Sequence, residues 1–425
     1  MNKLSWFLQS KYGAIVHWGL YAIPAGFWQG EYAPHGGEWI MKNWRSGIPY
    51  ADYAALADQF NPENFDADAF VHFLKEDCGF RYLVFTTKHH DGFAMYDSAC
   101  NDYNIMHTPY GKDVTRALSD ACEKYGLTFC LYYSQLQDWA DPNGFGNTWD
   151  FGPDKDKDFR KYLEEKCKPQ LKELLTGYGK IGLIWFDTPY EMDKAQCQEL
   201  VDFVHHFQPD CLINGRVGYN LGDYRQMGDR GIPLCTYPKP WEVPMTLNDT
   251  WGYRSDDDRW KTPEHVIRLL AEVAGKGGNL LLNIGPDAQG ALPAESENIL
   301  RTVGDWMKKN GESIYNTDPM PDFPYRLDTD FGCFTYSRDR KKLYMHIFRY
   351  PTVPPHQICV VGLETKVGRA YLLETGEEVM CWQTYETARD EHRLRVRLPY
   401  AKAPNALDTV VVIELEEDEL RTQTL

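Results

Sequence analysis

The chain has 425 residues, 43% hydrophobic and 25% charged, enough for a large folded core plus an appended unit, and a formal charge of −17. That charge argues against a nucleic-acid backbone or an anionic membrane as the main partner, because like charge repels both. No apolar run approaches the roughly 20 residues that span a bilayer, and the opening MNKLSWFLQSKYG has no signal-like apolar core, so a cytoplasmic location is expected.

Up to about residue 311, apolar strand-like runs alternate with amphipathic helical patterns. AIVHWG (14–19) is the first strand, followed by the helix DADAFVHFLKEDCG (66–79), with Gly79 as its stop signal. RYLVFTT (81–87) precedes DVTRALSDACEKYG (113–126), and LTFCLYYS (127–134) precedes DFRKYLEEKCKPQLKELL (158–175). KIGLIWFD (180–187) precedes AQCQELVDFVHHFQ (195–208), and CLINGR (211–216) leads into an irregular stretch, 219–260, with room for one or two more strands. TPEHVIRLLAEVAGKGG (262–278), NLLLNIGP (279–286) and ESENILRTVGDWMKKNG (295–311) complete the series. The strands are nearly continuous apolar runs, as parallel strands covered on both faces are. The pattern predicts an α/β fold, a (β/α) barrel of seven or eight units over residues 1–315. A doubly wound open sheet is the alternative, weakened because no glycine-rich phosphate fingerprint follows the first strand.

Beyond the proline-rich joint DPMPDFP (318–324) the texture changes. FGCFTYSRDRKKLYMHIFRY, QICVVGL, RAYLLETGEEV, HRLRVRLPY and DTVVVIELEE are short alternating runs between turn residues, which predicts an antiparallel β-sandwich over 330–425. The eleven cysteines are scattered without a CxxC pair, so neither a disulfide framework nor a structural zinc site is expected.

In a (β/α) barrel, side chains at the carboxyl ends of the strands converge on one face. Those ends deliver His17, then His89 and His90, then Tyr132, Asp187 and Arg216. Two or three polar residues could stand at loop starts by chance; the succession of them all points to a site. Asp187 ends a run buried up to its last residue, which suits a rigidly held nucleophile, although a structural aspartate in a βα loop has the same signature. Trp18 and Trp185 sit beside this face, where core packing is the competing role. With 27 Tyr, 20 Phe and 13 Trp, the chain has aromatic surface to spare for stacking on sugar rings, though most of it must fill the core.

The three histidines invite a metal reading. Adjacent His89 and His90 cannot both aim at one ion without distortion, and no Asp, Glu or Cys spacing completes a ligand set, so no metal is expected. Neutral imidazoles suit sugar hydroxyls, donating and accepting at once. Glu38 and Trp39, in HGGEW, place a carboxylate beside an aromatic plate, and Arg216 could orient either a carboxylate or a hydroxyl. Retaining glycoside hydrolysis needs a second carboxyl about 5–5.5 Å from the first. The stretch GDYRQMGDRGIPLCTYPKPWEVP offers Asp223, Asp229 and Glu242, and spacing does not choose among them.

HWG (17–19), GEW (37–39), KHHDGF (88–93), LYYS (131–134), WFD (185–187), NGR (214–216), WE (241–242), TWGY (250–253) and GGNLLLNIGP (277–286) occur in the order found in the α-L-fucosidases of glycoside hydrolase family twenty-nine, which the chain resembles over roughly residues 10–315. The resemblance implies hydrolysis of terminal α-L-fucosyl linkages of oligosaccharides or glycoconjugates, through a covalent fucosyl-enzyme and without a metal or organic cofactor. It makes Asp187 the nucleophile and His17, Glu38, Trp39, His89, His90, Tyr132 and Arg216 fucose-binding residues, with Trp185 and Trp251 as aromatic neighbours. Two departures stand out. Thr188-Pro189 follows the nucleophile where many members have Gly, and YRQMGD occupies the loop in which many show an acid/base Glu. The resemblance therefore implies Asp229 as acid/base first and Glu242 second, with a structural role the alternative for Glu242. The rival readings are an exo-glycosidase for a fucose-like sugar such as L-galactose, a catalytically silent fucose-binding protein and, third, a metal-dependent hydrolase.

Overall fold

The computed structural model describes residues 3–320 and 331–423. Eight parallel strands form the larger unit: β1 (Tyr12–Val16), β2 (Tyr82–Lys88), β3 (Thr128–Tyr133), β4 (Leu183–Phe186), β5 (Leu212–Ile213), β6 (Arg225–Gln226), β7 (Trp241–Thr246) and β8 (Gly278–Ile284). Their order is β5-β4-β3-β2-β1-β8-β7-β6. The two ends meet through a parallel bridge between Asn214 and Tyr224, reinforced where the Asp223 N–H donates to the Ile213 carbonyl at 2.7 Å. The sheet thus closes as a (β/α) barrel. The irregular 219–260 stretch supplies both β6 and β7.

Helices cross back outside the strands: α1 (Ala67–His72, continued by the π turn Phe73–Asp77), α2 (Val114–Tyr125), α3 (Lys168–Gly177), α4 (Lys194–Phe207), α5 (Pro263–Gly275) and α6 (Ala294–Asn310). Their starts are written in the sequence. Asp66, Asp113 and Thr262 each accept a backbone N–H of the first turn, and Asp193 forms a reciprocal capping box with Gln196. The expected helix 158–175 is Phe159–Tyr162, a π turn Leu163–Cys167 and then α3. The π turn lies just ahead of Pro169, which withdraws a backbone donor. No α-helix joins β5 to β6 or β6 to β7, so α1 to α5 are the five crossover helices among the described residues, and α6 follows the last strand.

Side chains alternate along each strand. Ile15, Val84, Cys130, Leu183, Leu212 and Leu281 fill the barrel interior, while Ala14, Leu83, Leu131, Ile184 and Leu282 face the helices. Gly13 is required for this packing: a Cβ there would fall 2.1 Å from the Tyr82 ring. Phe7, from the short helix Ser5–Ser10, joins the interior cluster. With its carbonyl bound by the Asn279 amide at 2.8 Å, it plugs the amino end of the barrel.

The second unit is a sandwich of β9 (Thr317–Asp318), β10 (Gly332–Ser337), β11 (Lys342–Ile347), β12 (Gln357–Val361), β13 (Val367–Leu372), β14 (Met380–Glu386), β15 (Glu391–Arg397) and β16 (Thr409–Leu415). One antiparallel sheet runs β9-β10-β11-β16-β13 and the other β12-β15-β14, with Met345, Ile358, Leu394, Val396 and Ile413 in the core between them. The sandwich starts earlier than expected, at Thr317, and Pro321–Pro324 of the expected joint, with residue 330 and residues 424–425, lie outside the described residues. Strand β14 escaped the sequence pattern because its exposed and half-buried residues show no clean alternation. No helix among the described residues is long and apolar enough to cross a membrane.

Candidate active site

At the carboxyl end of the barrel lies a cavity of about 520 Å³. Of the residues expected from sequence, His17, Glu38, Trp39, His89, Trp185, Asp187, Arg216, Asp229 and Trp251 line it. They arrive from β1, β2, β4, β5 and β6 and from the loops after β1 and β7.

Asp187 stands one residue past β4, 7% exposed. The Tyr132 hydroxyl donates to its Oδ2 at 2.9 Å and Arg216 Nη1 to its Oδ1 at 2.8 Å, while His90 Nε2 lies 3.5 Å from Oδ2. Its own N–H donates to Gln135 Oε1 at 2.8 Å. Burial alone would raise this carboxyl, but the charge and hydrogen bonds of Arg216, with His90 and Tyr132, outweigh it and hold the group below its ordinary value. Asp187 is therefore a fixed, ionised carboxylate at the cavity floor.

Arg216 binds two carboxylates at once. Nη1 holds Asp187 and Nη2 holds Asp229, and the guanidinium lies 4.8 Å over the Trp185 ring. The two carboxylates consequently sit on separate arms of one planar fork. Beneath them runs an aromatic stack: His89 on Tyr132 (5.2 Å, 7°) and Tyr132 on Trp185 (5.5 Å, 20°). Asp229 is half exposed, on the loop after β6.

The histidines are buried and held neutral. Burial pulls His17 and His90 down to about 4 and holds His89 well below its ordinary value. His17 Nδ1 pairs with Asn283 Oδ1 at 2.6 Å, and His90 Nδ1 with Ser134 Oγ at 2.6 Å. His89 Nδ1 and His90 Nε2 have no hydrogen-bond partner in the protein, leaving polar capacity beside Asp187. His89 and His90 are set in place by Lys88, wholly buried, which donates to Asp138 at 2.9 Å and to the Tyr162 hydroxyl at 2.7 Å. Trp139 then caps the His90 carbonyl through its N–H at 2.7 Å. Among the described residues, no group of three or more His, Cys, Asp or Glu is arranged to hold a metal ion.

Glu38, 2% exposed, accepts the Gly252 N–H at 2.7 Å, and burial raises its carboxyl. Trp251 sits 5.5 Å from His17. His90 and Tyr132 reach Asp187 without lining the cavity.

The structure corrects the expectation for Glu242. It is the second residue of β7, in register with Asn279 and Gln226 near the strand starts, and wholly buried inside the barrel. The Trp185 indole N–H donates to its Oε1 at 2.9 Å, the Tyr224 hydroxyl to Oε1 at 3.3 Å and the Tyr82 hydroxyl to Oε2 at 2.7 Å. It lies beneath the aromatic floor and does not line the cavity. Asp223 is also turned away, bound to Lys3 and to the Ile213 N–H, and Trp18 packs into the core against Phe60 and Phe65. Of the three candidate carboxyls, Asp229 alone lines the cavity with Asp187.

Sequence reasoning passed over Gln135, Asn283, Met227 and Tyr190, all at or beside this site, and noted Thr188-Pro189 only as a departure from the family pattern. Asn283 carried a usable signal, a polar residue interrupting the apolar run of β8. The others lie in loops, where no periodicity tells which way a side chain turns.

A family model described as alpha-L-fucosidase matches residues 2–312. A plasma alpha-L-fucosidase from Rattus norvegicus is 30% identical over 370 residues, covering 82% of this chain and 78% of its own. The structure of alpha-L-fucosidase isoenzyme 1 from Paenibacillus thiaminolyticus matches with a TM-score of 0.86 and 36% identity, over 98% of this chain and 99% of that one. A mutant of alpha-L-fucosidase AlfC from Lactobacillus casei, solved with 4-nitrophenyl-α-L-fucopyranoside, matches with a TM-score of 0.69 and 40% identity, over 73% of this chain and 99% of that one.

Proposed function

The chain belongs to the alpha-L-fucosidase family, and from that membership we propose a retaining reaction on terminal α-L-fucosides with Asp187 as nucleophile and Asp229 as acid/base. It is a glycoside hydrolase that cleaves α-L-fucosyl linkages. In the first step an Asp187 oxygen bonds to C1 as the C1–O bond to the leaving group breaks, and Asp229 gives its proton to the departing oxygen. In the second, Asp229 takes a proton from water as that water's oxygen bonds to C1, and the Asp187 ester is released as carboxylate.

The observation that carries this reading is the pairing of Asp187 and Asp229 on the two arms of Arg216 at a cavity floor. His17, His89 and Glu38 supply donors and acceptors for the sugar hydroxyls, His90 and Tyr132 hold the Asp187 carboxylate, and Trp39, Trp185 and Trp251 supply the walls of the cavity. Asp187→Gly is expected to abolish turnover of both aryl fucosides and fucosyl oligosaccharides, and unchanged rates on both would remove Asp187 from the role. The first-formed anomer, followed by proton NMR, tests retention: α-L-fucose supports it and β-L-fucose contradicts it. A cytoplasmic location belongs to the same proposal. It is supported by the buried free thiols Cys78, Cys122, Cys130, Cys167, Cys197 and Cys211 and tested by cell fractionation.

A further inference from the structure

The peptide chain leaves Asp187 through a strained residue. Thr188 has φ +50°, the left-handed region that a β-branched side chain rarely adopts. It is held there: Gln137 Nε2 donates to Thr188 Oγ1 at 3.0 Å, and Gln137 is itself buried and bound by the Trp139 indole N–H at 3.2 Å. Pro189 follows with its fixed φ, beside Gly218. The outcome of this bracing is Tyr190, whose side chain lines the active-site cavity yet is 82% exposed. Among the described residues its ring makes no hydrogen bond and no ring contact. A chain forced through an unfavourable turn to display an aromatic ring in water gains nothing in stability from it, which points to a ligand.

The position of the proton donor says which part of the ligand. A group that protonates the glycosidic oxygen must touch it, so the leaving sugar emerges beside Asp229. The loop that carries Asp229 also brings Met227 and Gly228 to the same cavity that Pro189 and Tyr190 line. We propose that Pro189, Tyr190 and Met227 form the subsite for the sugar on the leaving-group side, with the Tyr190 ring as stacking platform for a neutral hexopyranose. This rests on the assignment of Asp187 and Asp229 made above. It makes the Thr188–Tyr190 segment a determinant of which fucosides are cleaved, separate from fucose recognition by the histidines and Glu38.

The test compares a fucosyl-hexose disaccharide with α-L-fucosyl fluoride, which has no sugar to stack. Tyr190→Ala should lower kcat/KM on the disaccharide by roughly three- to tenfold, mainly through KM, the scale of one ring-stacking contact, and leave the fluoride unchanged. Tyr190→Trp should keep the disaccharide rate. An equal loss on both substrates would show a general structural effect and overturn the proposal, as would no loss on the disaccharide. Failure of the unaltered protein to hydrolyse the fluoride would overturn the parent reading instead, because fluoride departs without any platform.

Discussion

Asp187 is pulled two ways: burial opposes its charge, while Arg216, His90 and Tyr132 favour it. Because Arg216 tips that balance, removing it should raise the carboxyl. Arg216→Met is expected to move the acid limb of kcat/KM for fucosyl fluoride up by about one to three pH units, and an unmoved limb would show that Arg216 does not hold Asp187 ionised. Asp229 makes a different prediction. Asp229→Ala should slow substrates with poor leaving groups by roughly 10²–10⁴-fold, spare activated ones far more and regain rate with azide; a uniform loss without rescue would deny it the acid/base role. Asp187, the histidines and Arg216 were legible because each ends an apolar strand, where the barrel fixes the direction of the side chain. Gln135 and Tyr190 were not, since their roles depend on loop conformations that leave no period in the sequence.

At the scale of the element, β7 explains why Glu242 is easily misread. A Trp-Glu pair before an apolar run suggests a catalytic loop, but Trp241–Thr246 is a strand, and Glu242 lies at its start rather than its carboxyl end. What the sequence could not supply is register: two residues' difference in where β7 begins decides between barrel interior and cavity. Burial raises the Glu242 carboxyl to about 7 from 4.5, against the hydrogen bonds of Tyr82, Trp185 and Tyr224 and the charge of Arg216. The folded protein therefore keeps a proton that the unfolded chain loses near pH 4.5, and stability falls as pH rises between 4.5 and about 7. Glu242→Gln should flatten that fall, worth on the order of 3 kcal/mol, in thermal melts across the same window. Its effect on turnover should be in KM, through the Trp185 floor, with no azide rescue; a melt that keeps the wild-type pH slope would contradict the buried titration.

Over the whole molecule, barrel and sandwich are welded rather than tethered. Helix α5 packs on β10 so closely that a Cβ on Gly275 would meet the Phe334 carbonyl at 2.3 Å. The Met320 N–H donates to the Gly275 carbonyl at 2.9 Å, Arg268 to the Phe348 carbonyl at 2.6 Å and the Trp306 indole to the Asp408 carbonyl at 3.1 Å. Tyr344, Val410 and Val412 of the sandwich belong to the barrel's own core cluster. Gly275→Val should therefore cost about 1–3 kcal/mol by overpacking this seam, read as a lower Tm of one cooperative transition, and a barrel that melts independently of the sandwich would contradict the joint core. The alternation of strand and helix made the barrel legible, and the change of texture made the sandwich legible. The seam was not, because β9 runs into the start of the joint and the close approach at Gly275 is visible only in three dimensions.

The account stands on Asp187 forming a bond to C1. A 2-deoxy-2-fluoro-α-L-fucosyl fluoride slows the release of that ester, so brief incubation, proteolysis and mass spectrometry can locate it. The account predicts a fluorofucosyl adduct on the peptide containing Asp187, and an adduct on any other residue would contradict it.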